Sequence, residues 1–112
     1  MMFDKKTSSC PITNVMKILG GKWKLPILFR LMDGKMRFSA LSEAIPAISR
    51  KVLSDQLKQL EKDGLVVRKE YNEVQPKVEY FLTYRALKLK PIIEFLSSWN
   101  QELTNSTEKI KG

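Results

Sequence analysis

Between Ile45 and Gly64 the chain reads IPAISRKVLSDQLKQLEKDG, and this stretch constrains the fold more than any other. Pro46 stops the preceding helix, because its ring disfavours the α conformation at Ile45. Ser49 stands where its hydroxyl can accept from one of the amides that a helix start leaves unpaired. Val52, Leu53, Gln56, Leu57 and Leu60 then recur as the inward stripe of a surface helix, and Gly64 lies just past its end. Two helices joined by the tight turn Pro46-Ala47-Ile48 cross steeply, so the first braces the second and leaves it facing outward.

The flanking segments complete one small domain, residues 1–112. Cys10-Pro11 opens a helix carrying Ile12, Val15, Met16 and Leu19, and Gly20-Gly21 ends it. Trp23 to Met32 is apolar nearly all round, as a helix at the centre of a small domain must be, with Pro26 tolerated near its first turn and Asp33-Gly34 as its stop. Ser39 is placed to cap a short helix carrying Leu41, Ala44 and Ile45. Leu65 to Tyr71 and Lys77 to Leu82 read as strands joined by the polar tip NEVQP. After Thr83, a further N-cap, Leu89, Ile92, Leu96, Trp99 and Leu103 form a near-heptad seam on a long helix that Pro91 is expected to kink. Residues 1–9 and 104–112 read as disordered ends. The fold class is therefore α+β, mostly α: a winged helix-turn-helix with a two-stranded wing.

Composition narrows the function. The chain has no histidine and one cysteine, Cys10, which removes the usual general base, most transition-metal sites and any internal disulfide. No catalytic residue, metal site or cofactor is expected, and a lone thiol fits a reducing compartment. No apolar run is long enough to span a membrane, and the first ten residues lack a signal-peptide core, so a cytoplasmic location without membrane partners is expected. The net charge of +8 favours a polyanion. By segment it divides as about +4 over residues 1–34, about +3 over 35–77 and about +1 beyond, so it belongs to the folded body rather than to a basic tail.

On the helix after Ser49, the face opposite the leucines offers Arg50, Lys51, Ser54, Asp55 and Lys58. An arginine at a helix N-terminus can bridge guanine O6 and N7, at roughly 1–3 kcal/mol of base discrimination, which makes Arg50 the leading base reader. Lys51 shares that task, Ser49, Ser54 and Lys58 suit phosphate or base-edge contacts, and Asp55 either orients an arginine or accepts from a cytosine amino group. Arg68, Lys69 and Lys77 on the hairpin and Arg37 before the third helix are further candidates for double-stranded DNA, with Glu70, Glu73 and Glu79 diluting the wing's potential. The plainer reading of these charges is a solvated helix face, and for Arg37 a cap or structural ion pair. Other uses of the fold also stay open: a winged helix for protein or RNA contact, and a ligand sensor with aromatic lining from Trp23, Phe29, Phe95 and Trp99.

The chain resembles the HxlR-type transcriptional regulators of bacteria, winged helix-turn-helix proteins related to the MarR-type regulators. The resemblance runs over roughly residues 10 to 99, through Cys10-Pro11, GGKW at Gly20 to Trp23, ILFRL at Ile27 to Leu31, RFSAL at Arg37 to Leu41 and IPAIS at Ile45 to Ser49. It continues through VLSDQLKQLEKDGLVVR at Val52 to Arg68 and EVQPKVEYFLT at Glu73 to Thr83, to the terminal Leu89, Pro91 and Trp99. It implies a sequence-specific regulator that binds a pseudo-palindromic operator as a homodimer. The dimer interface would then use Ile12, Val15, Met16 and Leu19 of the first helix with Leu89, Ile92, Leu96, Trp99 and Leu103 of the last, a seam too long for so small a core to cover alone. Cys10 occupies the position at which several members sense electrophiles or oxidants, and a helix N-terminus with Lys5 and Lys6 nearby favours its thiolate. A packing or capping role for Cys10, with a small-molecule effector instead of an oxidant, is the alternative. The family commonly has Gly at the positions of Ala47 and Ala86, so an alanine at each argues against a strict need for positive φ there.

Overall fold

Ser49 caps the central helix as its sequence requires: its Oγ accepts from the Val52 amide at 3.1 Å. The computed structural model describes residues 10–72, 74 and 77–111, and side chains as far as Thr104. Six helices and a small sheet follow one another as α1 (Pro11–Leu19), α2 (Lys24–Leu31), β1 (Met36–Arg37), α3 (Phe38–Ala44), α4 (Arg50–Lys62), β2 (Val66–Tyr71), β3 (Lys77–Leu82), α5 (Tyr84–Leu87) and α6 (Lys90–Lys111).

The leucine stripe of α4 seats the domain. Leu53, Leu57 and Leu60 are buried against Ile27, Leu28 and Leu31 of α2, Leu41 of α3 and Leu82 of β3, and each such side chain contributes about 1.5–3 kcal/mol on leaving water. The helix ends in a Schellman motif: the Leu65 amide donates to the Leu60 carbonyl at 2.9 Å and the Gly64 amide to Glu61 at 3.0 Å. This closure needs a left-handed residue, and Gly64 supplies it with φ of 75°. The two following carbonyls are taken from across the fold, Asp63 by Arg85 at 2.6 Å and Gly64 by the Thr83 hydroxyl at 2.7 Å. α4 is thus fixed at both ends.

Several expectations are corrected. β2 and β3 pair as the two-stranded wing, and a further antiparallel strand, β1, extends the sheet in the order β1-β3-β2; β1 pairs Met36 with Tyr80 and Arg37 with Glu79, and two residues are too few to show an alternation. The third helix begins earlier than Ser39, with Arg37 at the N-cap and no side-chain cap bond, because Arg37 is already extended in β1. Ala47 has φ of 69°, so the positive φ is required in the turn and the alanine tolerates it; Ala86, by contrast, sits inside α5. Instead of one kinked helix after Thr83 there are two. Pro91 has no amide to give the Leu87 carbonyl, so the chain closes a tight turn from Leu89 to Ala86 at 2.9 Å and starts again, with Pro91 in the first turn of α6. Backbone helix continues to Lys111, through the stretch from Thr104 that the sequence reads as a disordered end. α2 is not enclosed all round: Ile27, Leu28 and Leu31 are buried but Phe29 remains 43% exposed. The N-terminal stretch 1–9, with Lys5 and Lys6, Glu73 in the hairpin tip, and Gly112 lie outside the described residues.

Candidate nucleic-acid interface

Arg50, Lys51, Asp55 and Lys58 stand exposed on α4, away from its leucines, while Ser54 is half-buried. They are not equally available. The Lys51 ammonium is 3.2 Å from the Asp55 carboxylate one turn on. The Arg50 guanidinium lies 5.6 Å from the Phe38 ring centroid, a cation–π contact that steadies it at the start of the helix. Ser54 and Lys58 line a groove between α4 and the sheet, together with Phe38, Glu61, Arg68 and Tyr80.

Strand alternation divides the wing cations between two faces. Arg68 points with Tyr80 towards α4, and its hydrogen bonds, first to Glu70 and then to the Tyr80 hydroxyl, raise its already high pKa. Arg37, Lys69 and Lys77 share the opposite face with Tyr71 and Glu79. Arg37 is exposed, and neither the cap bond nor the ion pair that were its alternatives is made among the described residues. Lys69 and Lys77 both reach the Tyr71 ring, at 5.1 and 4.9 Å from its centroid.

Glu79 does not dilute this face from the surface as its charge suggested. It is 8% exposed, and its Oε1 lies 3.4 Å from the Lys35 ammonium. Burial pushes its carboxyl up, but a hydrogen bond from Tyr71 and the charges of Lys35 and Lys77 outweigh this and hold it below the usual carboxylate range. Sequence reasoning passed over Lys35 and Tyr71 altogether. The register of the hairpin, which puts Tyr71 opposite Lys77, would have flagged the tyrosine.

Elsewhere, Ile12, Val15, Met16, Ile92, Leu96, Trp99 and Leu103 are exposed, and only Leu19 and Leu89 of the expected seam are packed against the core. The four aromatics considered for a ligand pocket do not converge: Phe95 is 68% and Trp99 53% exposed, Trp23 packs on the core, and Phe29 alone lines an open apolar groove of about 390 Å³ between α2, the α3–α4 turn and α6. Cys10 is the N-cap of α1 and a free thiol. The Thr13 hydroxyl foremost, then the Thr13 amide and last the Ile12 amide, lower its pKa against an opposing effect of burial. No cap hydrogen bond to the sulfur closes at full geometry, so these groups bias the thiol without fixing it. No cluster of metal-ligating side chains occurs among the described residues, and none of their helices is long and apolar enough to cross a membrane.

A tight-turned helix pair with a hairpin wing in a three-stranded sheet and an exposed, cation-bearing second helix defines a winged helix-turn-helix DNA-binding protein. The HxlR-like helix-turn-helix family model matches residues 18–108, and the chain belongs to that family. It is 38% identical over 103 residues to the uncharacterized HTH-type transcriptional regulator YdeP of Bacillus subtilis (strain 168), covering 92% of this chain and 80% of that one. It is 46% identical over 103 residues to the uncharacterized regulator BH0655 of Halalkalibacterium halodurans, covering 91% of each. Among solved structures it is similar to the redox regulator HypR in its oxidized form, with a TM-score of 0.79 and 39% identity over 83% of this chain and 96% of that one. Diamide-treated YodB from B. subtilis matches with a TM-score of 0.70 and 35% identity, over 84% and 94%. The protein is a transcriptional regulator, not an enzyme.

Proposed function

We propose that the protein is a cytoplasmic, homodimeric regulator that binds a pseudo-palindromic operator, placing one α4 in each of two successive major grooves about 34 Å apart. The observation that carries this reading is the outward face of α4, a row of exposed polar side chains on a helix capped by Ser49 and held at its far end by Thr83 and Arg85. A helix fixed at both ends loses little freedom when it enters a groove. Arg50 reads a base, Lys51, Ser54 and Lys58 meet edges or phosphate, and Arg37, Lys69 and Lys77 hold the flanking backbone. The apolar stripe of α6, with Ile12, Val15 and Met16 of α1, is the surface a second copy would cover. Cys10 serves as the oxidant- or electrophile-responsive group, supported by its lowered pKa and by the redox regulator among its structural relatives.

Selection of genomic duplex fragments by the purified protein, repeated with Arg50→Ala and at two salt concentrations, tests the reading. Enrichment of one inverted repeat that is lost in the variant supports it. Weak binding that fades with salt and yields no motif would reduce the interface to its net charge.

A further inference from the structure

The central strand β3 carries a carboxylate in the middle of the wing's cationic face. Register sets Arg37 of β1 and Lys69 of β2 on either side of Glu79, so one row across the sheet reads arginine, glutamate, lysine. Directly opposite residues on neighbouring strands project to the same face. Lys35 approaches the same carboxylate from the loop before β1, at 3.4 Å. Two residues along β3, Lys77 pairs with Tyr71, whose hydroxyl helps to keep Glu79 ionised and whose ring carries the ammonium groups of both Lys69 and Lys77. One carboxylate, largely shielded from water, thus lies in a row between Arg37 and Lys69 with the Lys35 ammonium beside it, and its Oε1 accepts no hydrogen bond.

A buried glutamate among DNA-facing cations is at odds with simple charge matching, since a carboxylate repels phosphate and burial is costly for it. Its placement is explained by what it does to its neighbours. Three like charges on a narrow sheet, with a fourth in the loop before it, repel one another and would splay into solvent. A carboxylate beneath them offsets that repulsion and, through the hydroxyl, fixes the ring on which two of them rest. We propose that Glu79, acting through Tyr71, is a positioning residue of the wing, holding Lys69 and Lys77 where they meet the DNA backbone. Lysines already gathered on one ring lose fewer rotamers on meeting phosphate than free ones do. The inference rests on the wing contacting DNA as described under the proposed function.

The test turns on a sign. Glu79→Gln keeps the shape, removes a negative charge and raises the net charge by one, so a residue that acted only through its charge would, on removal, give tighter binding at low salt. A positioning residue gives the reverse. Binding to a fluorescein-labelled mixed-sequence duplex of about 30 base pairs is measured by anisotropy over a salt series, well below the melting temperature of each variant. Glu79→Gln is expected to bind roughly fivefold more weakly, with a log–log salt slope shallower by about 1. Tyr71→Phe, which keeps the ring and loses the hydroxyl, should shift both in the same direction by less, and it serves as the decisive variant if Glu79→Gln fails to fold. A Lys69→Ala/Lys77→Ala pair is the control. If that pair weakens binding while Glu79→Gln and Tyr71→Phe bind as tightly as the parent or more so, the positioning role is overturned and the wing contact stands. If the lysine pair itself changes nothing, the wing does not touch DNA and both readings fall.

Discussion

The Lys51 ammonium and the Asp55 carboxylate face each other at 3.2 Å, one turn apart on the outward side of α4. Each was read from the sequence as a DNA contact, and in the free protein each occupies the other. The cation precedes the anion, the weaker order on a helix, and both groups are exposed, so the pair stabilises the fold by a few tenths of a kcal/mol at most. Its larger effect is on what α4 offers to DNA. Asp55→Asn frees the ammonium and removes an anion from the reading face, so affinity for mixed-sequence duplex should rise about threefold, with a steeper salt dependence. If Asp55 accepts from a cytosine amino group, affinity for the operator falls in the same variant. Unchanged binding to both duplexes would mean that this face does not meet DNA.

Ala47 occupies the left-handed region at the turn between α3 and α4, where, among the described residues, every other positive φ belongs to a glycine. An L-residue with a Cβ pays about 1–2 kcal/mol there, offset in part because alanine restricts the unfolded chain more than glycine does. Ala47→Gly is therefore expected to stabilise the protein by about 1 kcal/mol and raise the melting temperature by roughly 4 °C. Thermal unfolding followed by circular dichroism measures this. A lower melting temperature would show that the turn gains more from the methyl group than from relief of its backbone.

These two positions mark what the sequence could and could not convey. α4 was legible because three independent signals agree on it: the Ser49 cap, the leucine spacing and the terminal Gly64. The two residues of β1 were not, since a strand that short owes its existence to its partner β3 rather than to any periodicity of its own. The break before Pro91 was read as a kink because a missing amide marks where a helix is weakened but not on which side the chain yields. In the wing, residue types alone placed Arg68, Lys69 and Lys77 together. The alternation of β2 separates Arg68 from the other two, and the burial of Glu79 depends on neighbours from β1 and the Lys35 loop that are far away in sequence.

Trp99 lies half-exposed on α6 in the apolar stripe shared with Ile92, Leu96 and Leu103. A surface aromatic of this kind adds little to a monomer's core but much to an interface. Trp99→Glu should leave the monomer folded while placing a charge in the seam proposed for the dimer. Sedimentation at micromolar concentration is expected to show a dimer for the parent and a monomer for the variant, with operator binding lost alongside because two half-sites can no longer be engaged together. A parent that sediments as a monomer removes the dimer from the proposal.

Cys10 carries the pH prediction. The Thr13 hydroxyl, ahead of the Thr13 and Ile12 amides, favours the thiolate, so the thiol titrates below its ordinary range in the folded protein. The sign follows from that depression: the stabilising contribution is present above the unfolded thiol's pKa and is lost as pH falls through the folded one. Reactivity is another matter, because the thiolate is the attacking species. Iodoacetamide should alkylate Cys10 faster at neutral pH than it alkylates a thiol in unfolded chain, and the rate–pH curve should move upward in Thr13→Val. If Cys10 is also the sensor, diamide abolishes operator binding by the parent and spares Cys10→Ser. Parent and Cys10→Ser responding alike would leave the lowered pKa intact as chemistry but detach it from regulation.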